Sequence, residues 1–240
     1  MAKLIAQPSS KRSFVGLSNN QLKIIAMLSM LVDHIGVELY PTLKFLRILG
    51  RLALPLFAYM IAEGCFYTKS RTRYLILLST LAVLCQVVFY ITTESLYQGI
   101  LITFSLSVIT IFSFDNILKS ENLFKILLGL IGLTFALYVA LFMPIRYESE
   151  GFKIDYGALG MFMPVAIYYA PTKIIKLIAC AFMLVFLGIA LQGVQFYALL
   201  ALPLLALYNG QRGTPKLKYV FYVFYPLHLI AIYLASIMLF

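Results

Sequence analysis

The chain has 240 residues, of which 62% are hydrophobic and only 12% are charged. Soluble domains carry about 25% charged residues, and a globule of this size has too little interior to hide so many apolar side chains from water. These proportions exclude a soluble enzyme, a disordered chain and a disulfide-rich secreted domain. They predict an integral membrane protein with little mass outside the bilayer.

The formal net charge is +10, and the basic residues lie in short loops between apolar segments. This distribution is typical of a chain that a membrane orients, so no nucleic-acid partner is expected. The three cysteines stand singly in apolar stretches, without a histidine at metal-ligand spacing. No metal site is therefore predicted.

A helix needs ~20 residues to cross the hydrocarbon core of a bilayer. The sequence has nine apolar runs of about this length or slightly shorter. In chain order they are 22–40, 48–67, 74–92, 100–118, 123–144, 156–170, 174–191, 195–208 and 219–240. The three runs between 156 and 208 are shorter, and two of them would alternatively form a re-entrant hairpin. The predicted fold class is all-α: a polytopic transmembrane helical bundle of about nine spans. Residues 21–240 form one domain after a short cytoplasmic segment, 1–20.

The distribution of basic residues predicts the orientation of the bundle. With the N-terminus inside, 14 of the 19 lysines and arginines fall on the cytoplasmic side, as the positive-inside rule requires. We therefore expect a multi-pass protein of the cell (inner or cytoplasmic) membrane, with a cytoplasmic N-terminus and an outside C-terminus. No internal repeat is recognisable, which disfavours a transporter built from repeats.

Ionisable side chains within the spans are the first functional candidates, because each Asp, Lys or Arg costs at least ~2.5 kcal/mol in the bilayer centre. The candidates are Asp33, His34, Arg51, Glu63 and His228. At ~1.5 Å per helical residue, His34 lies ~16 Å from Lys23 and His228 lies ~15 Å from Lys218. The only two histidines of the chain are therefore expected at the same depth, on neighbouring helices around one cavity. Histidine carries protons near neutral pH, which favours a catalytic role for this pair.

Asp33 and His34 point about 100° apart on a helix and are not expected to pair with each other. Asp33 is instead predicted to pair with Arg51 or to orient His228. The alternative is that it forms a purely structural bond between helices.

The second span carries Arg47 and Arg51 on one face, one helical turn apart. Pro55 cannot donate a hydrogen bond to the carbonyl of Arg51, so a kink is expected there. The alternative for both arginines is that they extend to the outer interface. Glu63 lies near the inner end, where it lines a cavity or only supports packing.

Three further segments carry candidate residues. Arg71 and Arg73 follow the second span and would bind the phosphates of a soluble donor; the alternative is plain positive-inside charge. Tyr225 lies one turn from His228, deeper than an interfacial tyrosine requires. Asp155 is interpreted as the N-cap of the sixth span.

The order and spacing of these residues resemble those of the TraX family of bacterial membrane proteins. The matching motifs are Lys23…Asp33-His34-Ile-Gly, Arg47…Gly50-Arg51-Leu-Ala-Leu-Pro55, Glu63-Gly64, Arg71-x-Arg73-Tyr74, Asp155-Tyr156-Gly157 and Tyr222-x-x-Tyr225-Pro226-x-His228. The stretch 98–150 matches only in hydropathy. The name-giver of the family is associated with N-terminal acetylation of conjugative pilin, and the family is distantly similar to polytopic acyltransferases that acetylate cell-surface sugars and lipids.

The resemblance implies an integral membrane acyltransferase with cytoplasmic acetyl-CoA as its co-substrate and no metal. The acetyl group would pass to an amine or hydroxyl of an envelope-located peptide, sugar or lipid, within a setting of membrane lipids. The implied catalytic residues are His34, as general base, with Asp33 and His228; the implied substrate-binding residues are Arg47, Arg51, Glu63, Arg71, Arg73 and Tyr225. The alternative is a non-enzymatic polytopic protein, either a proton-linked transporter or an assembly scaffold.

Overall fold

The computed structural model describes residues 16–214 and 218–239. Most of the predicted segment 1–20, the internal stretch 215–217 and residue 240 lie outside the described residues. The helices are α1 (Asn19–Glu38), α2 (Lys44–Gly50), α3 (Ala53–Tyr67), α4 (Arg71–Thr93), α5 (Ile100–Lys119), α6 (Leu123–Leu137), α7 (Met143–Arg146), α8 (Gly157–Tyr169), α9 (Lys173–Leu191), α10 (Ala201–Ala206) and α11 (Lys218–Leu239). A π-helical turn, Tyr138–Phe142, joins α6 to α7, and a 3-10 helix, Gly193–Leu200, leads into α10.

Six helical segments of the described chain are long and apolar enough to cross a membrane. They are Lys44–Tyr67, Arg71–Thr93, Ile100–Lys119, Leu123–Arg146, Lys173–Leu191 and Val220–Leu239. Helix α1 and two shorter apolar helices, Gly157–Tyr169 and Gly193–Ala206, occupy the other three predicted runs. The chain is therefore a multi-pass α-helical membrane protein, whereas the count of nine spans and the orientation of the termini stay predictions.

Contacts between helix termini group the loops at two ends of the bundle. At one end, the Leu17 backbone N–H donates to Leu207 over 2.8 Å, and the Lys173 ammonium donates to the carbonyl of Tyr208 over 2.7 Å. We call this the basic end. It also holds the ion pair between Arg71, at the start of α4, and Asp115, near the end of α5.

Four helices begin at the basic end with a side chain that accepts a backbone N–H of the first turn. The capping residues are Ser18, Ser70, Asn122 and Thr172. Each satisfies a donor that the helix itself leaves without a partner. Ser18 and Gln21 form a complete capping box, which fixes the start of α1.

The second end is closed by a small parallel sheet. Strand β1 (Tyr97–Gln98) follows α4, and β2 (Lys153–Ile154) precedes α8. The backbone N–H of Asp155 donates to the carbonyl of Gln98 over 2.9 Å and extends this pairing by one residue. The sheet ties two loops together directly beside the first turns of α5 and α8.

The predicted second span is broken into two helices rather than kinked at Pro55. Helix α2 ends at Gly50, and α3 begins at Ala53, so the turn falls on Arg51 and Leu52. Pro55 is the third residue of α3, where its missing N–H would have had no intrahelical acceptor in any case. The break leaves the Arg51 side chain at the joint, where it faces α1.

Helix α3 is the centre of the bundle and packs against α1, α5 and α8. The outer helices α4, α6, α9 and α11 turn large apolar side chains outwards, as a lipid-facing wall requires. Helix α5 buries hydroxyl side chains instead, and these donate to carbonyls four residues earlier, as Ser105 does to Leu101 over 2.8 Å. Such local bonds satisfy polar groups where no water is present.

Candidate functional site

A cavity of about 910 Å³ lies among α1, α2, α3, α4, α5, α8, α9 and α11, towards the end closed by the β1–β2 sheet. It is large enough for a small substrate, since ligand pockets usually measure ~300–1,000 Å³. Its walls are mostly apolar, and its polar lining includes Asp33, His34, Arg47, Arg51, Tyr97, Asp155, Tyr156 and Tyr225. Within the described ranges, no group of three or more His, Cys, Asp or Glu side chains is arranged to hold a metal ion.

The two histidines are in direct contact in this region, as the depth estimate predicts. Nδ1 of His34 lies 2.9 Å from Nε2 of His228. His228 is buried, with 4% of its surface exposed, whereas His34 is half-buried and lines the cavity. Helices α1 and α11 pack together and bring these side chains together.

The hydrogen bonds of His228 assign the protons of the pair. Nδ1 of His228 lies 3.0 Å from the carbonyl oxygen of Phe224. A carbonyl only accepts, so this nitrogen carries the proton, and in the neutral ring Nε2 is the acceptor. His34 must then donate from its own Nδ1, which leaves its Nε2 with a lone pair. The arrangement therefore makes His34 the histidine able to accept a further proton.

Asp33 pairs with two arginines and makes no contact with His228. Both carboxylate oxygens accept from one Nη atom of Arg51 over 2.6 Å, and Arg47 lies 2.8 Å from the same carboxylate. Of the two predicted partners for Asp33, the structure therefore has Arg51. The group has one negative and two positive charges, and Asp155, which lines the same cavity near Arg51, adds a second carboxyl group beside it.

Gly50 makes the contact between Asp33 and Arg51 possible. A Cβ atom at this position would stand 2.1 Å from Oδ1 of Asp33. Any side chain there would displace the carboxylate, because real Cβ contacts are not that short. The Gly-Arg pair at positions 50 and 51 is thus one structural unit.

Arg51 also reaches two residues that sequence reasoning missed as site residues. Its second Nη donates to the hydroxyl of Tyr156 over 3.2 Å and to Oε1 of Gln195 over 3.1 Å. With 8% of its surface exposed, Arg51 is buried and does not extend to an interface. Nothing in the local sequence around Gln195 distinguishes it, since its contact depends on a turn after α9.

The interpretation of Asp155 as a helix N-cap is wrong. Tyr156 occupies the cap position of α8 with a left-handed backbone (φ 58°), and no side chain caps this helix. The carboxylate of Asp155 instead accepts from the hydroxyl of Tyr97 over 2.7 Å and lines the cavity. Burial raises the pKa of Asp155 from 3.8 to about 6, although the Tyr97 hydrogen bond and the nearby Arg51 oppose this shift.

Tyr225 lines the cavity next to the histidine pair. Its ring stands edge-on to His228, with 5.3 Å between ring centroids. A Cβ atom on Gly99 would lie 3.8 Å from the Tyr225 hydroxyl, so this hydroxyl faces the start of α5. The side chain is therefore close to His228 and lines the cavity.

Glu63 lies away from the cavity, in an ion pair of its own. Its carboxylate accepts from the Lys176 ammonium over 2.6 Å and from the Tyr208 hydroxyl over 3.4 Å. Glu63 is buried, with 5% of its surface exposed. These contacts tie α3 to α9 and to the segment after α10 near the basic end, and they do not bring Glu63 to the histidines.

Arg71 and Arg73 do not lie together. Arg71 pairs over 2.5 Å with Asp115, a buried residue that also accepts from the hydroxyls of Tyr168 and Tyr169. Arg73 is exposed, and neither arginine lines the cavity. Sequence reasoning missed Asp115, although it is a lone carboxylate in an apolar run, four residues before Lys119.

The family model described as TraX protein matches residues 18–236 of this chain. The chain is 32% identical over 170 residues to the uncharacterized protein RP591 of Rickettsia prowazekii (strain Madrid E), a match that covers 70% of this chain and 62% of the relative. It is 25% identical over 244 residues to the probable fimbrial assembly protein FimC, serogroup H1, of Dichelobacter nodosus, with 87% of this chain and 91% of that protein covered. No solved structure matches the chain. Because the family model extends over almost the whole bundle, including every cavity residue discussed above, this chain belongs to the TraX family.

Proposed function

We propose that the protein is a membrane acyltransferase that moves an acetyl group from acetyl-CoA to an amine or hydroxyl of an envelope-located acceptor. The observation that carries this proposal is the contact between His34 and His228, which leaves Nε2 of His34, a histidine that lines a large cavity, with a lone pair able to accept a proton. A general base is what an acceptor amine or hydroxyl needs in order to attack a thioester.

In the proposed step, Nε2 of His34 takes the proton of the acceptor as its nitrogen or oxygen attacks the thioester carbonyl. The new C–N or C–O bond forms, and the C–S bond of the tetrahedral intermediate then breaks. The leaving thiolate receives the proton from the His34 imidazolium and departs as the thiol of coenzyme A. The proposed step is a direct transfer, because neither histidine makes a hydrogen bond to a Ser, Thr or Cys side chain among the described residues.

His228 has the role of a positioning residue. Its Nε2 accepts the Nδ1 proton of His34, which selects the tautomer with a basic Nε2 and stabilises the imidazolium that forms. Asp33 acts with Arg47 and Arg51 to hold the wall of the cavity beside His34. The two guanidinium groups of that wall are positive hydrogen-bond donors, which suits the oxyanion that develops in the step.

The envelope acceptor is supported by the relative from Dichelobacter nodosus, which is named a probable fimbrial assembly protein. A structural subunit of a surface fibre has an N-terminal amine that a membrane enzyme is able to acetylate. The same name supports a second candidate function, in which the protein is a non-enzymatic assembly factor whose polar residues only hold the bundle together.

One experiment separates the two functions. The purified full-length protein in lipid nanodiscs is mixed with acetyl-CoA and an acceptor peptide bearing a free N-terminus, and the release of free thiol is followed. Saturable thiol release that is lost in the His34→Gln variant supports the acyltransferase. Absence of release, together with no stabilisation of the protein by coenzyme A, supports the assembly factor.

A further inference from the structure

A second cavity of about 130 Å³ lies between the large cavity and the basic end. Lys23, Met27 and Met30 line it from three successive turns of α1, and Tyr74 and Leu78 line it from α4. The two cavities are adjacent, because they share the lining residues Met30, Phe57, Ile100, Leu101 and Tyr225.

The second cavity runs along the helices rather than across them. At ~1.5 Å per residue, Lys23 and Met30 are ~10 Å apart along α1, and His34 is one turn further on, ~16 Å from Lys23. The cavity therefore connects the first turns of α1 to the neighbourhood of the histidine pair. Most of its lining is apolar or aromatic, and its three methionines are side chains that adapt to a passing chain.

Lys23, at the basic end of this cavity, is a cation without a carboxylate partner. It is half-buried, its ammonium lies 5.2 Å from the centroid of the Phe221 ring, and no ion pair includes it among the described residues. The parts of the chain outside the described ranges contain no Asp or Glu that would supply one.

A second cation stands close to Lys23. The backbone N–H of Asn20, one turn before Lys23, donates to the carbonyl of Arg212 over 3.2 Å, and Arg212 acts on Lys23 as a like charge. Lys23 is partly buried and no carboxylate pairs with it among the described residues, so its charge is unfavourable there unless a ligand supplies the negative charge. Arg212 is exposed beside this entrance.

We propose that the second cavity is the channel for the acyl donor: Lys23 and Arg212 bind phosphate groups of acetyl-CoA, and the acyl-pantetheine arm lies along the channel. This assignment rests on the proposed acyl transfer. The acyl-pantetheine arm is about as long as four residues of extended polypeptide, ~14 Å. This length is close to the ~16 Å that separates Lys23 from His34 along α1. A donor held in this way presents its thioester to the histidine pair.

The channel replaces Arg71 and Arg73 as the phosphate site. Arg71 is held by Asp115, and Arg73 shares a face of α4 with the exposed side chains of Leu77 and Leu84. Neither arginine lines either cavity. Lys23 alone among these three cations lines a cavity that leads to the histidines.

The test compares the affinities of the full-length protein for acetyl-CoA and for acetyl-pantetheine, which has the arm without the nucleotide and its phosphates. Both are measured by calorimetry in nanodiscs. The Lys23→Met variant is expected to bind acetyl-CoA about tenfold to a hundredfold more weakly, the loss of one charge-assisted hydrogen bond. Its affinity for acetyl-pantetheine is expected to stay as in the wild type, and Lys23→Arg is expected to restore the binding of acetyl-CoA.

The matched control is Lys125→Met, which removes an exposed lysine from the first turn of α6. Like Lys23→Met, it takes one positive charge from the side of the bundle that is predicted to be cytoplasmic. It is expected to bind both donors normally. A blocking variant, Met30→Trp, fills the junction of the two cavities and is expected to weaken both donors. Size-exclusion profile and melting temperature show that each variant is folded.

Three results overturn the channel. The first is wild-type affinity of the Lys23→Met variant for acetyl-CoA. The second is an equal loss in the Lys23→Met and Lys125→Met variants. The third is a loss confined to a variant lacking Arg71 and Arg73. In all three cases the wild type still binds the donor, so the proposed function stands. If the wild type binds neither acetyl-CoA nor acetyl-pantetheine, the proposed function fails, and the channel fails with it.

Discussion

Replacement of the two histidines by glutamine, singly and together, tests the proton assignment in the candidate site. Glutamine keeps a similar shape and a hydrogen-bonding amide, but it does not accept a proton near neutral pH. If Nε2 of His34 is the base, His34→Gln should lower the transfer rate by about 10²–10⁴-fold. This loss corresponds to a barrier higher by ~2.7–5.5 kcal/mol.

The expected loss for His228→Gln is smaller, because only its hydrogen bond to His34 is affected. That contact measures 2.9 Å. The amide oxygen of glutamine is able to accept the same Nδ1 proton of the imidazolium, so the loss should not exceed that of a single neutral hydrogen bond, about 0.5–1.5 kcal/mol. The rate should therefore fall by about two- to tenfold. Since both side chains act as one unit, the double variant should be no slower than His34→Gln alone.

The assay is the initial rate of thiol release at saturating acetyl-CoA, with the melting temperature as the control for folding. A purely structural pair, which only holds α1 against α11, would lower the melting temperature and spare the rate per folded molecule. The proton assignment is refuted if His34→Gln retains more than about a tenth of the wild-type rate. It is also refuted if His228→Gln loses more than His34→Gln, or if the two losses multiply.

Three further predictions concern stability and topology. Gly50→Ala should destabilise the protein by about 3 kcal/mol, because its Cβ displaces Asp33 from the buried Arg51 and the half-buried Arg47; an unchanged melting temperature would contradict this packing. Between pH 4 and 6.5 the folded state holds a proton on Asp155 that the unfolded chain has released, since the pKa of this residue is raised from 3.8 to about 6. The free energy of unfolding of the wild type should thus fall as pH rises through this range, and it should fall by more than that of the Asp155→Asn variant. An equal fall in both proteins would contradict this prediction. A reporter fused after Phe240 should be active only if it functions outside the cytoplasm, and cytoplasmic activity would mean that a short span has been miscounted.

The helices and the histidine contact were predictable from sequence because both depend on properties that are regular along a helix. Apolar length marks each helix, and a constant rise per residue gives the depth of a side chain. His34 and His228 could therefore be placed at one level without knowledge of the fold. For Asp33, the sequence left two partners possible, Arg51 and His228, because the depth of a side chain does not show which helices face each other.

The residues that were missed depend on irregular backbone. Aspartate is a residue type that is preferred at helix N-caps, which favoured this role for Asp155. The left-handed backbone of Tyr156 moves the start of α8 by one residue, and the Asp155 carboxylate lines the cavity instead. Gln195 reaches Arg51 only because a 3-10 helix follows α9. Pro55 correctly indicated that the second span is not one straight helix. The sequence pattern did not show that the helix would end at Gly50 and a new one begin at Ala53.

Helices α1 and α11 lie far apart in the chain, and the histidines that they join are separated by 194 positions. During synthesis, His34 enters the bilayer long before its partner has been translated. The polar wall of Asp33, Arg47 and Arg51 forms from neighbouring helices and is able to assemble early, whereas the basic nitrogen of His34 acquires its orientation only when α11 inserts. Chains that stop before this helix would lack the contact between His34 and His228, on which the proposed acyl transfer depends.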